Sequence, residues 1–107
     1  QDSLYKFKST VKSLIGSSFK RNKKSFKKNN RTENILGCSL EYFAEYLTKS
    51  FGKDLKLEDF GRYGYHIDHI IPLDSAKTEE DVIKLCHYSN LQPLYWKENL
   101  QKSNKIL

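Results

Sequence analysis

The side chains best suited to catalysis stand in two short segments in the second half of a chain of 107 residues. Asp68 and His69 are neighbours in the first segment, and Asn90 and Asn99 stand nine residues apart in the second. Histidine, with a pKa of roughly 6.5 in water, suits a general base near neutral pH. Carboxylate and amide oxygens are ligands that Mg²⁺ and Mn²⁺ prefer. These groups, with lysines of the same region binding the phosphate, are the ones that metal-assisted hydrolysis of a phosphodiester requires.

The Asp68 and His69 pair also has a purely structural interpretation. In a β-strand the side chains alternate between faces, so His66 and Asp68 would point away from Ile67 and His69. Asp68 and His69 reach one pocket only if the strand bends or ends there. Otherwise Asp68 simply orients His69 through a hydrogen bond. We interpret His66 as a strand residue with a structural hydrogen bond rather than as a ligand.

The elements that position these residues follow from the spacing of apolar side chains. Recurrence every three or four residues predicts amphipathic helices, and short runs of β-branched and aromatic residues predict strands. The predicted helices cover residues 3–20, 40–51, 79–88 and 96–105. The predicted strands cover residues 65–73 and 91–94. We expect Ser39 to cap the second helix, Cys86 to lie in the core, His87 to lie at the surface, and Trp96 and Leu100 to face inward.

The length limits the chain to one compact domain with a single core. We expect a small α+β fold in which N-terminal helices pack around a ββα core. The expected regions are a basic helical arm and loop over 1–35, a helix and connector over 36–63, and the ββα core over 64–105. Because Gln1 stands where a methionine would begin a protein, we expect the chain to be part of a larger one. The isolated domain is expected to be a monomer.

The composition excludes several classes of protein. Hydrophobic residues make up 37% of the chain and are too scattered for a membrane span, and no segment has the pattern of a secretory signal. The two cysteines, Cys38 and Cys86, are far apart, so they predict neither a disulfide framework nor a four-ligand zinc site. We therefore expect an intracellular protein without a membrane partner.

Charge is distributed unevenly along the chain. The whole chain carries +6, but residues 1–31 contain ten lysines and arginines against one acidic residue, so that segment carries +9 and the remainder −3. Such an arm suits a polyanion, because each lysine or arginine near a phosphate releases a counterion. An anionic membrane surface or simple solubility would also account for it. The candidate DNA-binding residues are Lys20, Arg21, Lys23, Lys24, Lys27, Lys28, Arg62, Lys97, Lys102 and Lys105.

The two segments resemble the motifs of the HNH endonucleases, which are built on a ββα-metal unit. The matching residues are Ile67-Asp68-His69-Ile70-Ile71-Pro72-Leu73, Asn90-Leu91-Gln92-Pro93-Leu94, Trp96-Lys97-Glu98-Asn99, Lys102 and Asn104. The resemblance implies that His69 is the general base that activates water. It implies that Asp68 and Asn99 hold one metal ion. It also implies that the Asn90 side chain hydrogen-bonds the backbone and keeps the loop of the base in place.

Asn99 stands where many members of that family have histidine, so the chain resembles an H-N-N variant known among phage, viral and mobile-element enzymes. An amide oxygen there favours Mg²⁺ or Mn²⁺ over Zn²⁺, and no structural zinc is expected, because the family's paired cysteines are absent. The implied partner is double-stranded DNA, with nicking expected of a monomer, and RNA stays an open alternative. The other alternative is a non-catalytic nucleic-acid-binding module that keeps the fold.

Four lysines of the arm, Lys23, Lys24, Lys27 and Lys28, allow a test of polyanion binding. Each phosphate contact on duplex DNA contributes about 0.9 to the slope of log affinity against log salt concentration. Replacing all four by glutamine should reduce that slope by up to about 3.6, while single-turnover cleavage at saturating DNA and low salt stays close to wild type. Salt-dependent fluorescence anisotropy measures the slope. An unchanged slope would mean that the arm is only a solvated segment.

Overall fold

Five α-helices and one two-stranded antiparallel sheet make up the described part of the computed structural model, residues 3–21 and 31–102. Predictions on residues 22–30, 103–107 and the Arg21 side chain lie outside the described residues. The helices are α1 Ser3–Arg21, α2 Thr32–Leu36, α3 Leu40–Lys49, α4 Glu79–Leu85 and α5 Trp96–Lys102. The strands are β1 Tyr65–His69 and β2 Leu91–Tyr95, and 3₁₀ turns cover Leu57–Asp59, Leu73–Ser75 and Tyr88–Asn90. The predicted α+β class is confirmed.

One face of α1 supplies much of the hydrophobic core. Phe7, Val11, Ile15 and Phe19 recur every four residues, so they share a face of the helix, and none is more than 3% exposed. Other elements complete this core with Leu36, Phe43, Leu47, Val82, Cys86 and Leu91. The predicted core position of Cys86 is confirmed. No helix in the described ranges has both the length and the apolar character needed to cross a membrane.

A strand, strand, helix unit occupies the region predicted to form the ββα core. β1 and β2 pair so that Asp68 lies opposite Gln92. α5 begins at the residue after β2, and the Trp96 N–H donates to the Gly64 carbonyl, 2.9 Å away, just before β1. Because no linker separates β2 from α5, the sheet fixes where the helix starts.

Several predicted elements are shorter in the structure. The first strand ends at His69 rather than at Leu73. Ile70 N–H still donates to the Asn90 carbonyl at 2.8 Å, but the Asn90 N–H donates to the His87 carbonyl at 2.9 Å within a 3₁₀ turn, so the pairing stops there. α3 and α4 also end two and three residues earlier than predicted. These ends bring the loop after β1 against the turn before β2.

The last helix turns a different face inward from the one predicted. Leu100 is 71% exposed, and Trp96 packs edge-on against Tyr63, with ring centroids 5.3 Å apart, rather than into the core. Asn99 and Lys102 take the inward positions and line a cleft. Because successive helical residues are about 100° apart, Leu100 points away from the cleft that its neighbour Asn99 lines. The predicted inward positions of Trp96 and Leu100 are therefore wrong.

Gly37 ends α2 and leaves room for the ring of His87. Its φ of 86° lies in the left-handed region that favours glycine, and a β-carbon there would lie 2.5 Å from His87 Nε2. His87 is therefore half-buried rather than at the surface as predicted. Two residues after Gly37, Ser39 caps α3 as predicted, because its Oγ accepts the Tyr42 N–H at 3.0 Å.

Gly37→Ala and Gly52→Ala form a matched pair. Both glycines have positive φ, but only at Gly37 would an added β-carbon meet another atom within 4 Å. Gly52→Ala should lower the free energy of unfolding by about 1–2 kcal/mol, the cost of left-handed backbone for an L residue. Gly37→Ala should lower it by about 1–3 kcal/mol more, because the methyl group overpacks against His87. Urea denaturation followed by circular dichroism measures both, and equal losses would contradict this packing.

Candidate functional site

A cleft of about 700 Å³ lies between α1, β1 and α5. The motif side chains that line it are His66, Asp68, His69, Asn99 and Lys102. The structure therefore brings together the predicted base and both predicted metal ligands. Both Asp68 and His69 line this cleft, although His69 is still paired in β1, opposite the buried Leu91. Asn90 lies beyond the cleft lining, in the turn before β2.

Asp68 is held by two hydrogen bonds to the same oxygen. Its Oδ2 accepts Gln92 Nε2–H at 3.0 Å and the Lys102 ammonium at 2.5 Å. Gln92 reaches it because the two residues are opposite in the sheet. Within the described part of the chain both hydrogen bonds to Asp68 end on Oδ2, so Oδ1 is the oxygen left to bind a cation.

Lys102 is buried, at 3% exposure, where it meets the end of β1. Besides Asp68, its ammonium donates to the carbonyl of His69 at 2.5 Å and, over 3.4 Å, to the carbonyl of Ile70. These three acceptors match the three N–H groups of an ammonium. The prediction that Lys102 binds DNA does not agree with this placement, because the group that would contact a phosphate points into the protein.

Asn99 and His66 form a hydrogen-bonded pair that the sequence did not predict. Asn99 Nδ2–H donates to His66 Nδ1 at 2.9 Å, and His66 Nε2 lies 3.0 Å from the Arg62 carbonyl. Because a carbonyl only accepts, Nε2 carries the proton and Nδ1 is the acceptor. The amide nitrogen of Asn99 is thereby held toward His66, which leaves its Oδ1 as the atom able to bind a metal.

His69 lies at the inner wall of the cleft, at 7% exposure. Its Nε2 lies 3.7 Å from the sulfur of Cys86. Burial raises the pKa of the Cys86 thiol above its usual range, so the sulfur stays protonated and uncharged at neutral pH. A thiol sulfur is a weak acceptor for an imidazole N–H. The Nε2 side of the ring therefore contacts the core.

Asn90 ties the loop after β1 to the turn before β2. Its Oδ1 accepts the Ile71 N–H at 2.9 Å, and its Nδ2 donates to the carbonyls of Ile71 at 3.2 Å and Leu85 at 2.8 Å. Its own carbonyl accepts the Ile70 N–H at 2.8 Å. These are the side-chain-to-backbone bonds that the sequence predicted. They hold the residues that directly follow His69.

His87 builds the turn that presents Asn90, a role that the sequence did not indicate. Its carbonyl accepts the Asn90 N–H at 2.9 Å, and its Nδ1 accepts the Ser89 N–H at 3.2 Å. The other side of the ring faces Gly37. Gly37 was the available signal in the sequence, but its partner His87 is 50 residues away in the chain.

The remaining candidate DNA-binding residues are unevenly placed. Lys20 is exposed on α1 and Lys97 on α5, whereas Arg62 lines the cleft. The candidates outside the described residues are the side chain of Arg21 and all of Lys23, Lys24, Lys27, Lys28 and Lys105. Apart from the buried Lys102, Arg62 is therefore the candidate that combines a described position with the cleft itself.

The donors at the cleft fit a hard cation better than a soft one. Asp68 and Asn99 each offer one oxygen, and Mg²⁺ keeps several waters when it binds through one or two protein ligands. A group of three or more His, Cys, Asp or Glu able to hold a metal is not found in residues 3–21 and 31–102. An ion here would therefore take its remaining ligands from water and substrate.

Part of the chain is similar to a viral protein. Over 74 residues, or 67% of the chain, it is 38% identical to "Uncharacterized protein L426" of Acanthamoeba polyphaga mimivirus. The matched stretch spans about a third of that relative, 32% of its length. No family model and no solved structure matches the chain.

Lys102→Met tests the buried pair at the cleft. Removing the ammonium strands the Asp68 carboxylate, whose side chain is 12% exposed, so the free energy of unfolding should fall by about 3–5 kcal/mol. Asp68→Asn combined with Lys102→Met should recover most of that loss, because no buried charge is then left alone. Lys97→Met, exposed on the same helix, is the control. Urea denaturation measures the free energy of unfolding of each variant. Equal stability of Lys102→Met and Lys97→Met would refute the buried ion pair between Lys102 and Asp68.

Proposed function

We propose that this chain is a divalent-metal-dependent endonuclease of the HNH type that hydrolyses phosphodiester bonds of double-stranded DNA inside the cell. The observation that carries the proposal is the grouping of Asp68, His69 and Asn99 around one cleft. Each of these side chains stands at the position that the motif resemblance assigns to a metal ligand or to the base. The +9 charge of residues 1–31 supports a polyanionic substrate.

His69 acts as the general base. It takes a proton from water, which attacks the phosphorus in line and displaces the 3′ oxygen, leaving a 5′-phosphate end. The Cys86 sulfur, 3.7 Å from Nε2, holds the ring at the inner wall of the cleft. Asn90 prevents the residues after His69 from moving, since its side chain binds both the N–H and the carbonyl of Ile71.

Asp68 and Asn99 would hold one Mg²⁺ or Mn²⁺, since each has an oxygen that the hydrogen bonds at the cleft leave available. When bound, the ion stabilises negative charge on the scissile phosphate and on the leaving oxygen. Lys102 and Gln92 fix the rotamer of the Asp68 carboxylate, and His66 fixes the Asn99 amide. These contacts hold both ligands in place before the ion arrives, which reduces the rearrangement needed to bind it.

A single cleft of this kind engages one scissile phosphate at a time. A monomer therefore nicks one strand of a duplex, and Arg62 at the cleft is the described cation best placed to contact the phosphate. The second candidate function is a non-catalytic nucleic-acid-binding module. One observation favours it: His69, the proposed base, is only 7% exposed, with Nε2 3.7 Å from the Cys86 sulfur.

His69→Ala separates these two functions. Loss of a general base should reduce single-turnover nicking of supercoiled plasmid by about 10²–10⁴-fold in Mg²⁺, while DNA affinity measured in chelator stays unchanged. Lys49→Ala, exposed on α3, is the control for handling and should nick like wild type. Circular dichroism must show that His69→Ala is folded, and Asp68→Asn provides a second inactive variant. Wild-type protein that binds plasmid but never nicks it would favour the binding module.

A further inference from the structure

Four aromatic rings form a continuous row beside the cleft. This aromatic strip consists of Tyr63, Trp96, Tyr95 and Tyr65. Neighbouring ring centroids lie 5.3 Å apart for Tyr63 and Trp96, 6.2 Å for Trp96 and Tyr95, and 5.4 Å for Tyr95 and Tyr65. Tyr63 is 66% exposed and Tyr95 38% exposed, so the strip presents ring surface to solvent instead of filling the core.

Three cations lie over the rings of the strip. Arg62 Cζ is 5.3 Å from the centroid of Tyr63, Lys97 Nζ is 5.6 Å from that of Trp96, and Lys53 Nζ is 5.5 Å from that of Tyr65. None of these cations takes part in the ion pairs formed by the described residues. Their charge is therefore not neutralised by a neighbouring carboxylate in contact.

The aromatic strip is continuous with the cleft. Tyr65 belongs to both, and Arg62, which lies over the ring of Tyr63, also lines the cleft. The Arg62 carbonyl accepts the hydrogen bond of His66, which in turn holds Asn99. A strand that leaves the cleft in this direction would pass directly over the rings.

We infer that the aromatic strip binds unpaired nucleic-acid bases by stacking, while Arg62, Lys97 and Lys53 bind the adjoining phosphates. Exposed aromatics alternating with cations are the composition that binds single strands without sequence preference, since every base has a π-face. A protein partner also favours Tyr, Trp and Arg, but the three cations and the contact with the cleft favour a polyanion that the cleft would cleave. The inference rests on the proposed function for that last step, and it names the substrate as DNA with an unpaired segment beside the scissile bond.

Trp96 makes the test direct, because it is the single tryptophan of the chain. Short oligothymidylate added to the full chain in chelator should quench its fluorescence, and an abasic strand of equal length should bind with much less quenching. Tyr63→Ala should weaken oligothymidylate binding by about 5- to 150-fold, the usual effect of losing one stacking ring. Tyr5→Ala, a 67% exposed tyrosine on α1 outside the strip, should bind like wild type.

The outcomes distinguish this inference from the nuclease proposal. Equal binding of oligothymidylate by wild type and Tyr63→Ala, without quenching, would overturn the stacking role and leave the nuclease proposal standing. Quenching and weakened binding together with normal nicking by His69→Ala would support the strip and overturn the proposed mechanism. Quenching by polyglutamate but not by oligothymidylate would assign the strip to a protein partner and overturn the inference.

Discussion

The ammonium of Lys102 fixes the position of α5 relative to β1. It is buried against Asp68 and against the carbonyls of His69 and Ile70, which lie at the end of the strand. Removing two charges from water costs several kcal/mol for each ion, and only close geometry with full hydrogen bonding offsets that cost. The last turn of α5 therefore has one well-defined place over the end of β1. Every side chain that these two elements direct into the cleft takes its position from that contact.

Features that depend on residues a few positions apart could be predicted from the sequence. Apolar spacing located α1, α3 and α4, and the cap at Ser39 followed from the residue type before a helix. The backbone contacts of Asn90 followed from the motif resemblance. The partner of Lys102 could not be predicted, because Asp68 lies 34 residues away and the contact depends on how α5 docks. The position of Trp96 against Tyr63, outside the core, has the same origin, since it depends on the direct junction of β2 and α5.

The hydrogen bonds at the cleft decide which atom of each side chain faces the site. A carboxylate and an amide each have two polar atoms. Hydrogen bonds within the protein occupy one atom of each group here, Oδ2 of Asp68 and Nδ2 of Asn99. The His66 imidazole accepts the Asn99 amide N–H only in the tautomer that its hydrogen bond to the Arg62 carbonyl sets. Pairings of this kind link residues 33 apart, so the sequence gives the donors and acceptors but not their choice of partner.

The hydrogen bonds between the Asn90 side chain and the Ile71 backbone close the segment between the two strands into a loop. Ile71 and Asn90 are 19 residues apart and are joined by two hydrogen bonds of the Asn90 side chain, so the two ends of the intervening loop lie together. The entropic cost of closing such a loop grows only with the logarithm of its length. Residues inserted near the exposed Asp74 and Ser75, before α4, would therefore lengthen the loop at a small cost in free energy, while the hydrogen bonds between Ile71 and Asn90 keep their geometry. Length variation in this protein is best tolerated there, because His69 lies outside the loop and keeps its position.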